Sequence, residues 1–355
     1  MVAPRELTLE VRPQAPFDVI DVRARVAATL GPVLDGYPRC LYASLHTTAG
    51  YLPEALAARL TTRPGAVGSY LDLFRTMFPA GAGYQHDQLE LRHELPPEQR
   101  KVEPANAHSH LAFIGGGLRS CVSYDARRPG PVYFVDFDGM HEGTPRRRVT
   151  TMIGYSREIE VASTTLLVPV SPHPIDAVNL KAARVGLYEQ VTEFIDRHGV
   201  EKGRVRIELG AAEQFASLTV NEYETLLMQH DLAEVLRSPL RFAAEKARHA
   251  WNDPRALPSK AIGYAKYDLV RALNRLVDAV GLRASRVERL LARTLEVPAS
   301  RFLRTKRSVD LLVSDTARPG KGEIVEGPYQ TPILIQWRPA DAGAREVRVA
   351  LTRFL

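Results

Sequence analysis

The chain has 355 residues, 45% hydrophobic and 25% charged, which is too apolar for a disordered polymer and long enough for two domains with cores of their own. No stretch reaches the ~18 uninterrupted apolar residues of a membrane span, the start Met1–Val11 carries no signal core, and a cytoplasmic location is expected. Cys40 and Cys121 are too few for a disulfide framework or a cysteine metal site and read as buried thiols, and the net charge of +6 is concentrated between Arg237 and Arg307, where 17 Lys or Arg stand against 6 Asp or Glu.

Leu7, Leu9 and Val11 alternate with Thr8, Glu10 and Arg12, the period of a half-buried strand. Asp21 then stands where an N-cap belongs, ahead of a helix expected over Arg23–Leu34. A turn at Gly36-Tyr37-Pro38 leads into the apolar run Cys40–Leu45, which ends in His46-Thr47-Thr48-Ala49-Gly50. Helices are expected over Tyr51–Leu60 and Ser69–Met77, then a long polar loop over Phe78–Pro104, then strands over Arg119–Asp125, Pro131–Asp138 and Arg147–Ile153. Strands and helices mixed without a regular β-α-β rhythm indicate an α+β fold.

The second half repeats the plan. Ser163–Val170 reads as a strand, His173–Val178 stands where Phe17–Val22 stood, a helix runs through Ile195, and a Gly-rich turn enters Arg204–Leu209. The closing segments match as well: Arg119–Asp125 with Arg307–Val313, Ala126–Gly130 with Thr316–Gly320, and Pro145–Val149 with Ala344–Val349. The expectation is two tandem copies, residues 1–158 and 159–355, the second interrupted by a basic helical insertion at about 237–307. Within that insertion, Ala265–Val280 and Ser285–Leu295 have amphipathic helical spacing with arginines on the polar face.

Five histidines, His46, His86, His93, His108 and His110, fall within 65 residues of one another. His46 opens a turn of small residues whose hydroxyls, Thr47 and Thr48, can bind a ligand. Tyr84-Gln85-His86-Asp87 follows a Gly-Ala-Gly turn, and Asn106-Ala107-His108-Ser109-His110 precedes an apolar run ending in three glycines. In an extended segment His108 and His110 would share a face. Neutral imidazoles converging from separate segments suit zinc or a similar ion, and protonated ones suit phosphate.

These motifs, with Glu54, Asp138-Gly139 and Pro145–Val149, resemble the YjbQ-type family over roughly residues 5–155, in the family's order. The resemblance implies a small α+β domain, typically trimeric, with activity of the secondary thiamine-phosphate synthase kind. It implies His46, His86 and His110 as pocket and metal-binding histidines, Asp87 as the acid linked to activity, and Glu54 as the acid after the His-Thr-Thr-Ala turn. The second copy also resembles the family but has Gly210-Ala211-Ala212-Glu213-Gln214 where the histidine turn stood. It keeps Leu218–Glu222 and a Gly-x-x-Gln-x-Ile-like segment, Gly327–Ile333, so that a composite pocket could draw Glu222 or Gln330 from it.

The function expected is that of an enzyme of specialised biosynthesis, acting on a small anionic or phosphorylated metabolite with a divalent metal such as zinc or magnesium. It would be a thiamine-phosphate synthase-like transferase or a metal-assisted lyase or hydrolase. His46, Asp87, His108 and Glu54 are the candidate catalytic residues, with Thr47, Thr48, Tyr84, Asn106 and Arg147 binding substrate. The alternative is a non-catalytic scaffold docking an acidic protein partner through the basic helices. A homo-oligomer, in keeping with the trimers of the resembled family, is expected in either case.

Overall fold

The computed structural model describes residues 2–91, 96–172, 176–222, 231 and 306–355. The first half runs β1 (Arg5–Val11), β2 (Asp18–Asp21), α1 (Val22–Leu30), β3 (Arg39–Ser44), β4 (Ala49–Tyr51), α2 (Glu54–Leu60), α3 (Ala66–Met77), α4 (Pro97–Val102) and α5 (Ala107–Gly115). It closes with β5 (Cys121–Asp125), β6 (Tyr133–Asp136), a small hairpin of β7 (Met140–His141) and β8 (Thr144–Pro145), and β9 (Arg148–Tyr155). The second half runs β10 (Glu158–Pro169), β11 (Asp176–Asn179), α6 (Leu187–His198), β12 (Gly203–Leu209), β13 (Ala216–Asn221), β14 (Ser308–Ser314), β15 (Glu323–Val325), β16 (Thr331–Gln336) and β17 (Ala344–Phe354). Every pairing among these strands is antiparallel, so the chain is mixed α/β with several antiparallel sheets.

Local chemistry accounts for the boundaries. The Asp21 carboxylate accepts the N–H of Ala24 and starts α1 as expected. The helix stops at Leu30 rather than Leu34, because Gly31 turns to φ 71° and Pro32 follows. Tyr51 belongs to β4, not to a helix, and α2 begins only after Pro53. The expected loop over Phe78–Pro104 contains the short helix α4.

The chain forms two compact units, one from Met1–Glu54, Leu118–Tyr223 and Thr305–Leu355, the other from Ala55–Gly117 and Glu224–Arg304. The first unit holds sheets from both halves, with orders β1-β9-β3-β5 and β2-β6-β4 in one, and β10-β17-β12-β14-β15 and β11-β16-β13 in the other. Strand for strand, the second pair of orders repeats the first and adds β15 at one edge. The amphipathic helix α6 buries Leu187, Val191, Phe194 and Ile195 against the second half's sheets.

A separate core joins the halves within this unit. Leu41, Ala43, Cys121, Ile153 and Tyr155 of the first pack with Leu312 and Phe354 of the second, and the rings of Tyr155 and Phe354 stack 4.0 Å apart. Burying the larger of these side chains, Leu41, Ile153, Leu312 and Phe354, is worth ~1.5–3 kcal/mol each. Both cysteines are free and buried, and burial pushes the Cys40 thiol up to about 12. Polar contacts border this core: Lys202 binds Glu6 and Asp315, and Arg119 donates to Ser308 O at 2.7 Å.

Candidate functional site

In the second unit, His86 and His110 come together. Gly81 and Gly83, both at positive φ, fold the chain into the turn that delivers Tyr84-Gln85-His86-Asp87. The His86 side chain is fully buried, and its Nδ1 lies 3.2 Å from Asp87 Oδ1. The same carboxylate oxygen accepts the N–H of Ala107 at 2.9 Å, at the start of α5, so Asp87 ties the loop of one histidine to the helix of the other. The His86 and His110 rings lie 5.2 Å between centroids, tilted by 52°, with a nitrogen of each within 4.8 Å of the other. Asp231 accepts the backbone N–H groups of Gln85 and His86 at 3.2 and 3.0 Å.

That arrangement can hold a metal ion. An imidazole whose Nδ1 faces a carboxylate is fixed in orientation and presents Nε2 to a metal, as metal-ligating histidines commonly do. Two imidazoles favour zinc and its neighbours over magnesium, which prefers oxygen. Tyr84 lies two residues before His86, and burial raises its hydroxyl pKa, with Asp87 and Asp231 adding to the effect. Its OH donates to Pro79 O at 3.0 Å.

One expectation is corrected here. His108 and His110 do not lie on an extended segment; both are in α5, where a spacing of two residues turns side chains ~200° apart. His110 is buried and His108 only half-buried. Asn106, just ahead of the helix, is buried.

In the first unit, His46, Thr47 and Thr48 form the turn between β3 and β4. His46 Nε2 accepts the N–H of Val149 at 2.9 Å, which leaves the ring proton on Nδ1. Burial, reinforced by the charge of Arg148, brings the His46 pKa down to about 4. Beneath the turn, Arg148 makes a bidentate pair with Asp136 (2.6 and 2.9 Å) and donates to Thr48 Oγ1 (3.3 Å) and Asp138 O (2.5 Å). Burial raises the Asp136 pKa against the pull of that guanidinium.

Side chains of the second half hold this turn in place. Gln330 Nε2 donates to Ser44 O and His46 O at 2.9 and 3.0 Å, and Asn221 Nδ2 donates to Thr47 O at 2.8 Å. Gly327 lies so close to Leu45 that a Cβ there would stand 1.9 Å from its carbonyl oxygen. Glu222 is buried next to Asn221, whose side chain accepts its N–H.

The remaining candidates are placed differently. Glu54 opens α2 and accepts the backbone N–H of Asp125 at 3.1 Å, a positioning contact. Arg147 lies on the surface against Glu10, while its neighbour Arg148 points inward. Sequence reasoning missed Asp136, Asp231 and the clamp by Asn221. Strand alternation could have separated Arg147 from Arg148; nothing local marks Asp231. The basic helices over 265–295 lie outside the described residues. No helix among the described residues is long and apolar enough to cross a membrane.

No family profile and no curated protein sequence matches the chain. Solved structures similar to it include two described as YbjQ-like or of the YjbQ family. A YbjQ-like protein of unknown function from Sulfolobus solfataricus matches at 16% identity over 56% of this chain and 99% of its own, with a TM-score of 0.28. An uncharacterized conserved protein of the YjbQ family from Clostridium acetobutylicum matches at 14% identity over 54% and 99%, with a TM-score of 0.26. A hypothetical protein from Aeropyrum pernix matches at 14% identity over 54% and 98%, with a TM-score of 0.28.

Proposed function

We propose that this chain is a metal-assisted enzyme acting on a small anionic or phosphorylated metabolite, with a divalent ion of the zinc type held by His86 and His110. The observation that carries this reading is the buried imidazole pair, one member of it oriented by Asp87. A metal there supplies Lewis acidity to a substrate oxygen or to water. Asp87 fixes the His86 ring and, through Ala107, the start of the helix that carries His110. Tyr84, in the same loop as His86, keeps a neutral hydroxyl, its pKa raised by burial. Transfer of the thiamine-phosphate synthase kind, lyase chemistry and hydrolysis all fit such a centre. We further infer that the chain arose by tandem duplication, which the repeated sheet orders support.

Metal analysis of the purified protein tests the proposal. About one equivalent of a transition metal is expected, lost in His86→Ala and in His110→Ala but kept in His46→Gln, because the Nε2 of His46 already accepts a backbone N–H. Asp87→Asn keeps the fold and weakens metal affinity 10–100-fold. Protein that takes up no metal when supplied with zinc, or that keeps it in both alanine variants, overturns the reading.

A further inference from the structure

One sheet edge of the second half is long and open. β10 closes the order β10-β17-β12-β14-β15, and its twelve residues pair on one side only, with β17. In an antiparallel ladder, alternate residues turn their N–H and C=O groups to opposite sides. Those of β10 that turn away from β17 meet no second strand among the described residues. The other edges are guarded differently. β1 carries Arg5, Glu6 and Glu10 along its seven residues, and β13 has five of its six residues buried.

Within β10 a bulge at Val161 sets off Glu158 and Glu160, and Pro169 ends the strand. Bulges, prolines and charges are the devices that blunt an edge. Between them, Ala162-Ser163-Thr164-Thr165-Leu166-Leu167-Val168 has none, and its register with β17 is unbroken. Ala162, Leu166 and Val168 turn into the core of the second half. Ser163, Thr165 and Leu167 turn the other way and are exposed. Leu167 is 70% exposed, more than any other large apolar side chain among the described residues.

We infer that Ala162–Val168 joins two copies of this chain, pairing antiparallel with itself about a two-fold axis at Thr165, so that two five-stranded sheets become one of ten strands. A two-fold normal to the sheet sets residues of the same face opposite each other. Val168 then meets Ala162 and Leu166 meets Thr164 on the core face, while Leu167 meets Ser163 on the other. The charges select this arrangement. In antiparallel pairing about Thr165, Glu160 of one chain falls opposite Val170 of the other and Glu158 opposite Pro172, both uncharged. Parallel in-register pairing would stack each glutamate on its own copy at the strand spacing of ~4.8 Å. The contact uses no residue of the proposed metal centre and stands apart from it.

Sedimentation equilibrium of the full chain, with cross-linking beside it, tests the contact. Wild type should form an assembly with an even number of chains. Leu167→Lys, which plants a charge on the open edge, should halve its mass and keep the unfolding midpoint, because the side chain it replaces lies in solvent. A short bismaleimide should link Thr165→Cys into covalent dimers, since the two copies of residue 165 face each other at the axis. It should leave Ile159→Cys unlinked, because antiparallel pairing carries its two copies ~40 Å apart; the native Cys40 and Cys121 are buried and do not compete. A single-chain mass for wild type, which leaves the edge to an extended peptide of another protein, overturns the inference. So does an unchanged mass for Leu167→Lys, an unlinked Thr165→Cys, or Ile159→Cys that links as readily. Should Leu167→Lys fail to fold, the two cysteine variants decide.

Discussion

His46 should act as an acid-sensitive point in the first unit. Its pKa falls from an ordinary 6.5 to about 4, through burial first and the Arg148 charge second. The folded protein therefore resists a proton that the unfolded chain accepts. The stability that this neutral ring contributes is complete above pH 6.5, is lost progressively as the pH falls, and is gone below about 4. At ~1.4 kcal/mol for each factor of ten in proton affinity, the loss reaches ~2.5 kcal/mol by about pH 4.5. His46→Gln keeps an acceptor for the Val149 N–H but does not titrate, so it serves as the reference. Urea unfolding of both proteins at pH 7.5 and 4.5 should show wild type losing ~2.5 kcal/mol more than the variant between the two. The Cε1–H resonance of His46 should titrate with a midpoint near 4. A midpoint near 6.5, or equal losses in the two proteins, would refute the claim that burial against Arg148 keeps the ring neutral.

Other predictions concern the contacts around the same turn. Gly327→Ala places a Cβ against the carbonyl of Leu45 and should cost ~1–3 kcal/mol. It should also shift the His46 resonances as Gln330 loses Ser44 O and His46 O; unchanged spectra and midpoint would show that the loop yields freely. Asp136→Asn leaves Arg148 buried without its carboxylate and should destabilise the protein by ~3–5 kcal/mol, read from the urea midpoint. Phe354→Ala removes the ring stacked on Tyr155 in the core that joins the halves and should cost ~3–5 kcal/mol on the same measurement.

Much of the fold was legible in short-range pattern. Alternation marked β1, the apolar run Cys40–Leu45 marked β3, and Asp21 marked the start of α1. These signals act between residues close in sequence, where dihedral preference, capping and pleat decide the outcome. His86 and His110 were legible as candidates by type. The family resemblance set them together; the residue pattern alone did not, because their approach depends on a helix, α5, where the alternation of His108 and His110 was read as an extended segment.

The amino-acid sequence by itself marked several of the strands, where the chemistry-bearing residues fall and that residues 210–214 carry no histidine. Tertiary structure alone decided that Asp136 meets Arg148, that Asp231 caps the turn of His86, and that Gln330 holds a turn 284 residues earlier in the chain. Such contacts depend on sheets packed together from distant parts of the chain. Hydrogen-bond partners separated by that distance leave no periodic trace for local propensity to register.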